Sequence, residues 1–108
     1  MVELTERTAE VIADRFRALA EPMRLRLLNA LRDGERSVGE LAEGTGAGQA
    51  NASKHLQLLL QHGFVVRRKE GTTTWYRVAD PAVYALCSLI GGGLEEDIER
   101  RRKTLRRR

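Results

Sequence analysis

Apolar residues recur every three or four positions through the first 62 residues of the 108-residue chain. This spacing places them on one side of an α-helix, so it predicts helices rather than strands in this part of the chain. In the stretch from about residue 48 to 62, the apolar side consists of Ala52, Leu56 and Leu59. Four helices are predicted, over residues 5–20, 21–34, 37–43 and about 48–62.

The ends of these helices carry residues that helix ends favour. Pro22 stands at the first position of the second helix, where its missing N–H costs nothing. Ser37 and Glu40 have the spacing of a capping box, in which each side chain bonds a free backbone N–H of the first turn. Three glycines within residues 44–48 predict a turn before the fourth helix, because glycine disfavours a helix interior.

Two β-rich stretches follow the fourth helix. "FVVRRK" at 64–69 and "TTTWYRV" at 72–78 are joined by a short glycine-containing turn, which is typical of a hairpin. Asp80 and Pro81 predict the start of a last helix that bends or ends at three glycines, residues 91–93, before it resumes. The predicted order is α-α-α-α-β-β-α. This is mainly α with a β-hairpin wing, a winged helix-turn-helix.

Charge is distributed unevenly along the chain. The formal net charge is +4, but seven of the 19 basic residues lie in the last nine positions. Residues 1–99, predicted to form the winged helix-turn-helix domain, therefore contain 12 basic and 15 acidic residues, and residues 100–108 are predicted to form a basic C-terminal tail. Residues 48–77 carry a net charge of +4 within that acidic body, which gives the domain a positive side suited to nucleic acid.

The outward side of the fourth helix carries short polar groups and one charge, on Gln49, Ala50, Ser53, Lys54 and Gln57. Helices that need only solubility use Glu and Lys more often, whereas this face can approach a DNA major groove and hydrogen-bond to base edges. The hairpin adds "RRKEGTTT" at 67–74, whose cations and hydroxyls suit phosphate and minor-groove contact. The alternative is a helix face and a hairpin that are merely solvated.

The two histidines of the chain, His55 and His62, are seven residues apart in the fourth helix. A metal site needs three or four ligands with closer pairs, so no metal site is predicted. We expect His55 to be a half-buried hydrogen-bonding group, with phosphate as one candidate partner. His62 is expected to interact favourably with the helix C-terminus.

Residues 16–78 resemble the ArsR/SmtB family of bacterial winged-helix repressors. The combination of "ALAEPMRLRLL", "SVGELAE", "QANASKHLQLL" and "GFVVRRKEGTTTWYRV" carries the resemblance. It implies a homodimer, joined through its first and last helices, that binds a double-stranded DNA operator and releases it when an inducer binds. Carried over position by position, it implies DNA contacts at Gln49, Ala50, Asn51, Ser53, Lys54, His55 and Gln57 of the fourth helix, and at Arg67, Arg68, Lys69, Thr72, Thr73 and Thr74 of the wing.

The chain departs from the family at the sensing positions. The resemblance places the Cys-x-Cys of arsenic-type members at Ser37 and Gly39, and a cysteine pair of other relatives at Cys87 and Gly91. The last helix also lacks the histidine of zinc-type members. The usual metal sites and a cofactor are therefore not expected, and the effector is not identified. Gly48 replaces the usual polar cap of the fourth helix, which weakens its start.

Cys87 shares a predicted helical face with Val83, Leu86 and Ile90. The first interpretation is a small hydrophobic residue buried at the dimer seam. The alternative is a redox or electrophile sensor that could link two subunits.

An acidic cluster in the last helix, Glu95, Glu96, Asp97 and Glu99, precedes the basic tail. We expect a solvated helix face balanced by the tail rather than a cation site. Three roles are open for the tail itself: disorder, nonspecific DNA contact, or pairing with these acids.

Three classes of function compete: a dimeric DNA-binding repressor, a winged-helix module that binds protein, and an enzyme. Lys54 and the run from Arg67 to Lys69 argue against the protein-binding module. An enzyme is not expected, because the sequence offers no nucleophile–base pair, catalytic carboxylates or phosphate loop. The absence of an apolar run of about 20 residues, of a signal peptide and of a second cysteine predicts a cytoplasmic protein without membrane contact.

Overall fold

A computed structural model describes residues 3–106, apart from the side chains of residues 95, 96 and 106. None of the described helices is long and apolar enough to cross a membrane. The elements follow in the order α1 (Glu6–Leu19), α2 (Pro22–Ala30), β1 (Arg36–Ser37), α3 (Val38–Thr45), α4 (Gln49–Gln61), β2 (Val65–Glu70), β3 (Thr73–Val78), α5 (Ala82–Gly91) and α6 (Leu94–Arg106).

Side-chain caps define where the first three helices begin. The Thr5 side chain accepts from Thr8 N at 3.2 Å, and the Glu21 side chain accepts from Arg24 N at 3.0 Å. At α3 the predicted capping box is confirmed, since the Ser37 hydroxyl accepts from the N–H of Glu40 and the Glu40 carboxylate accepts from the N–H of Ser37. These caps satisfy backbone donors that a helix start leaves free.

The three strands form one antiparallel sheet in the order β1-β3-β2. β2 and β3 pair from Val65↔Val78 to Glu70↔Thr73, and Gly71, with a φ of 62°, makes the turn between them. β1 adds only two pairs, Arg36↔Tyr76 and Ser37↔Trp75. The hairpin therefore has a supported base and a tip that projects beyond β1.

The core lies between α2, α3, α4 and the base of the sheet. The predicted buried side of α4 is confirmed, because Ala52, Leu56 and Leu59 are all fully buried. The largest fully buried side chains around them are Tyr76, Leu27, Leu31, Leu41 and Val65. This packing seats α4 and the base of the hairpin on the same core.

Some element boundaries differ from the sequence prediction, although the fold class is confirmed. α3 continues through Thr45 and ends only at Gly46, whose φ of 73° is left-handed. The last helix does end at the three glycines, which is one of the two predicted alternatives, because Gly92 has extended backbone and Gly93 has a φ of 80°. A Cβ at Gly92 would lie 2.7 Å from the carbonyl oxygen of Ser88, so only glycine fits this break.

Two further features extend the predicted order. β1 was not predicted, because a two-residue strand has no measurable periodicity. α6 is the predicted resumption of the last helix over residues 94–105, and it runs through residue 99, the predicted boundary between the domain and the basic tail. Residues 100–106 of the predicted tail are therefore helical.

Replacement of the α3 cap should destabilise the fold, and a new cap on α4 should stabilise it. Ser37→Ala removes an acceptor for Glu40 N and should lower the free energy of unfolding by about 1 kcal/mol. Gly48→Ser should raise it by a few tenths of a kcal/mol, since Gly48 has extended backbone and open space around its Cα. Urea denaturation at one fixed protein concentration measures both changes; equal stabilities for the two variants would contradict the capping account.

Candidate nucleic-acid interface

The outward side of α4 is a polar, solvent-facing surface. Five of the predicted contact residues are exposed there, and a sixth, Ser53, is half-buried. The exposed five are Gln49, Ala50, Asn51, Lys54 and Gln57. Because the opposite side of the helix is fixed in the core, these side chains are held outward by the same packing that buries Leu56.

A groove of about 470 Å³ joins the start of α4 to the wing. It brings together six of the residues predicted from the sequence, with the start of α3 forming its third wall. Its lining is Ser37, Val38, Gly39, Gln49, Ala50, Ser53, Thr72, Thr73 and Thr74. The groove therefore combines hydroxyl and amide groups from α4 and the wing, two elements that are distant in sequence. One bound molecule could contact both elements.

The three consecutive cations of β2 do not share one face of the hairpin. Successive residues of a strand point to opposite faces, while cross-strand partners lie on the same face. Arg67 pairs with the buried Tyr76 and Lys69 pairs with Thr74, so these two cations extend from the face that packs on the helices. Arg68 pairs with Trp75 on the other face.

Arg68 is bound by two carboxylates. Its Nε lies 2.9 Å and 3.0 Å from the two Glu35 oxygens, and one terminal nitrogen lies 2.6 Å from Glu35 Oε1. The other terminal nitrogen donates to Glu70 Oε2 at 2.6 Å, and the guanidinium carbon lies 5.5 Å from the centroid of the Trp75 ring. Glu35 was not predicted as part of the site, because it lies 33 residues away in sequence.

His55 is held in a cluster at the start of α2. Its Nδ1 lies 3.2 Å from a terminal nitrogen of Arg24 and 3.8 Å from Glu21 Oε2, and its side chain is 15% exposed. Because a guanidinium only donates, Nδ1 accepts and the proton of the neutral ring is on Nε2. Arg24 Nε also donates to the Ala18 carbonyl at 2.6 Å, so the cluster ties α4 to α1 and α2.

His62 lies at the other end of α4. Its Nδ1 is 3.0 Å from the carbonyl oxygen of Leu58, one turn back in the same helix. Among the residues whose side chains the structure describes, no three His, Cys, Asp or Glu side chains are grouped as a metal site would require. Each histidine is thus placed by a hydrogen bond within the fold.

Comparisons with known proteins identify the family to which this chain belongs. A helix-turn-helix domain model matches residues 19–68. The homodimeric winged helix-turn-helix DNA-binding domain Mb0332 of Mycobacterium bovis, described as a possible ArsR-family transcriptional regulator, has a TM-score of 0.74 and 36% sequence identity, over 93% of this chain and 95% of that one. The chain belongs to the ArsR/SmtB family.

Two sequence relatives are transcriptional repressors by name. A probable mercury resistance operon repressor of Streptomyces lividans is 43% identical over 74 residues, which are 68% of this chain and 59% of that protein. The biofilm growth-associated repressor of Xylella fastidiosa is 36% identical over 85 residues, which are 79% of this chain and 75% of that protein. This ArsR/SmtB chain therefore spans less than two thirds of the first relative.

The family's thiol positions on α3 have a different use in this ArsR/SmtB chain. Ser37 is the N-cap of α3 and the partner of Trp75 in the sheet, and Gly39 lies in the groove beside α4. A residue that caps the first helix of the helix-turn-helix stabilises that helix. Ser37 thus has the capping role that its spacing from Glu40 predicts, at a position where the resemblance places a thiol.

Cys87 is exposed in the single chain. It lines an open groove of about 430 Å³ between α2 and α5, beside Tyr84 and Arg32. Tyr84 donates to the Leu28 carbonyl at 2.6 Å, and burial raises the pKa of Tyr84. The single chain does not bury Cys87, so its burial at a dimer seam and its role as a sensor both stay predictions.

The acidic residues of α6 whose side chains are described pair with the basic tail of the same helix. Asp97 accepts from Arg100 at 2.6 Å, and Glu99 lies 3.6 Å from Arg102. The side chains of Glu95 and Glu96 lie outside the described part of the chain. Of the three roles left open for the tail, these contacts favour pairing with the preceding acids.

The His55 cluster should stabilise this ArsR/SmtB domain. His55→Ala removes an acceptor from the part-buried Arg24 guanidinium and should lower the free energy of unfolding by about 1–2 kcal/mol. Lys54→Ala, at the exposed neighbouring position, should change it by less than about 0.5 kcal/mol. Urea denaturation of both variants checks this expectation, and a His55→Ala protein as stable as Lys54→Ala would contradict it.

The Glu35 carboxyl should titrate below its ordinary pKa of 4.5. The hydrogen bond from Arg68 lowers the pKa of Glu35, and the hydrogen bonds within the Ser37 capping box lower the pKa of Glu40. A lowered folded pKa contributes stability above the unfolded value, and this contribution is lost as pH falls through the folded value. In Arg68→Ala, carboxyl NMR should return the pKa of Glu35 toward 4.5 and leave that of Glu40 lowered; an unchanged Glu35 would contradict the pairing.

Proposed function

We propose that this chain is a homodimeric transcriptional repressor that binds DNA with sequence specificity through α4 and the wing. The observation that carries the proposal is the groove in which Gln49 and Ser53 of α4 meet the threonines of the wing tip. Hydroxyl and amide side chains without a negative charge line much of this groove, and Arg67 and Lys69 extend from the face of the hairpin on which Thr74 lies. That combination fits the polyanionic backbone and the base edges of duplex DNA.

Within this proposal the two elements have different tasks. The start of α4 enters the major groove, where Gln49, Asn51, Ser53 and Gln57 can hydrogen-bond to base edges and Ala50 can contact a thymine methyl. Lys54 reaches guanine or phosphate. The wing residues Arg67, Lys69, Thr72, Thr73 and Thr74 contact phosphates or the minor groove, which positions the protein without specifying sequence.

The proposed dimer uses apolar surface that the single chain leaves exposed. Val11 and Phe16 of α1 are about half exposed, and Leu89 and Ile90 of α5 are 82% and 75% exposed. A second subunit that covered these side chains would remove them from water, which favours association. The similar Mycobacterium bovis domain is homodimeric, and a two-fold dimer would present two α4 helices to two half-sites of an operator.

The release signal in this proposal is separate from the usual metal sites of the family. Ser37 and Gly39 hold the arsenic-type positions without a thiol, and Gly91 holds the position that would complete a cysteine pair with Cys87. The effector of this chain is therefore not identified from these positions.

Fluorescence anisotropy tests the proposed function. The labelled duplex covers the DNA directly upstream of the gene for this chain, and the reference is a scrambled duplex of the same composition, each at two salt concentrations. The proposal predicts tighter binding to the upstream duplex and weaker binding to both duplexes at the higher salt concentration. Equal affinities without salt dependence would favour the protein-binding module.

Substitutions in α4 and in the wing should change different quantities. Gln57→Ala should reduce the ratio of upstream to scrambled affinity by about five- to 100-fold, since it removes a contact to a base edge. Arg67→Ala should weaken both duplexes alike and lower the log–log salt slope by about one. Gln61→Ala, one turn beyond the proposed surface, is the matched control. Loss of discrimination in Gln61→Ala but not in Gln57→Ala would contradict the placement of the surface.

A further inference from the structure

We propose that Arg68 positions the wing through Glu35 and does not contact DNA. This inference rests on the proposed function. It assigns different tasks to the three consecutive cations of residues 67–69, which the sequence analysis treats as one basic segment. Arg67 and Lys69 would meet phosphate, whereas Arg68 would be a positioning residue. Glu35, which has no role in the sequence prediction, would be its anchor.

The position of Arg68 in the sheet is the first argument. β1 supports the hairpin only at Tyr76 and Trp75, and beyond this point the strands project without a third strand. Arg68 is the cross-strand partner of Trp75, so it lies where the wing leaves the sheet. Glu35 directly precedes β1, and an Arg68–Glu35 contact therefore fastens the hairpin to the start of the helix-turn-helix at this point.

The donors of Arg68 supply the second argument. All three guanidinium nitrogens are within 3.0 Å of a carboxylate oxygen of Glu35 or Glu70. Single exposed ion pairs contribute little to stability, but a bidentate arginine within a network is the exception. The Trp75 ring on the same face adds a cation–π contact. A phosphate would have to compete with two carboxylates for this guanidinium.

The facing of the hairpin supplies the third argument. Arg67 shares a face with the buried Tyr76, on the side of the hairpin that packs on the helices. Arg68 shares the opposite face with Glu70 and Trp75. Arg77 lies on this face too, so Glu35 and Glu70 balance the charges of Arg68 and Arg77 and leave the face without a net positive charge.

The direction in which Glu35→Ala changes duplex affinity distinguishes a positioning role of Arg68 from a DNA contact. If Arg68 positions the wing, Glu35→Ala releases the wing and weakens duplex binding about five- to tenfold, with the salt slope unchanged. If Arg68 contacts DNA, the same substitution frees its guanidinium and removes a negative charge, so binding becomes tighter and the slope steeper. Anisotropy titrations at several salt concentrations measure both quantities.

Two further variants complete the test. Arg68→Ala should weaken binding at least as much as Glu35→Ala, since it also removes the contacts with Glu70 and Trp75. The double variant should be no weaker than Arg68→Ala, because the Arg68–Glu35 contact is already lost in that variant. Arg67→Ala is the matched control, and only this variant should lower the salt slope. A slope lowered by about one in Arg68→Ala, or additive losses in the double variant, would overturn the proposal.

The single tryptophan of the chain provides a readout that needs no DNA. Trp75 lies under the Arg68 guanidinium, so Arg68→Ala and Glu35→Ala should both increase the quenching of its fluorescence by acrylamide, whereas Arg67→Ala should not. Unchanged quenching in both variants would contradict the Arg68–Glu35 contact itself. If the wild-type chain binds no duplex but the quenching changes as expected, the proposed function fails and the structural contact stands.

Discussion

Burial of one side of α4 is the interaction on which the rest of the structure depends. Ala52, Leu56 and Leu59 have no exposed surface, and each leucine contributes about 1.5–3 kcal/mol of hydrophobic stabilisation. Because a helix has a fixed period, burial of this side determines which residues point outward. The polar surface that includes Gln49 and Gln57 is therefore set by the core, and its rigidity depends on how firmly α4 is seated.

Contacts between distant parts of the chain also fix the positions of α4 and the wing. His55 and Arg24 join the recognition helix to the start of α2, and Arg68 and Glu35 join the wing to the strand that leads into α3. Both pairs use an arginine whose planar guanidinium binds several acceptors at once. The helix and the wing, which contact one duplex in the proposed function, are thus each held to the elements before them.

The sequence predicts the parts of this arrangement that have a local cause. The period of Ala52, Leu56 and Leu59 predicts the buried side of α4, and the Ser37–Glu40 spacing predicts the start of α3. It does not predict that Arg68 is bound by Glu35, because a contact across 33 residues leaves no local spacing. The break at Gly92 shows the same limit: glycines mark a weak point in a helix, and only the backbone shows that the helix ends there.

In the proposed function, DNA contacts the outward side of α4 and the helix-facing side of the wing. Backbone amide chemical shifts, recorded by NMR while the upstream duplex is added to the dimer, test it most directly. The account predicts the largest changes at residues 49–57 and 67–74, with small changes in α6. Changes concentrated in α5 and α6, with α4 unaffected, would contradict it.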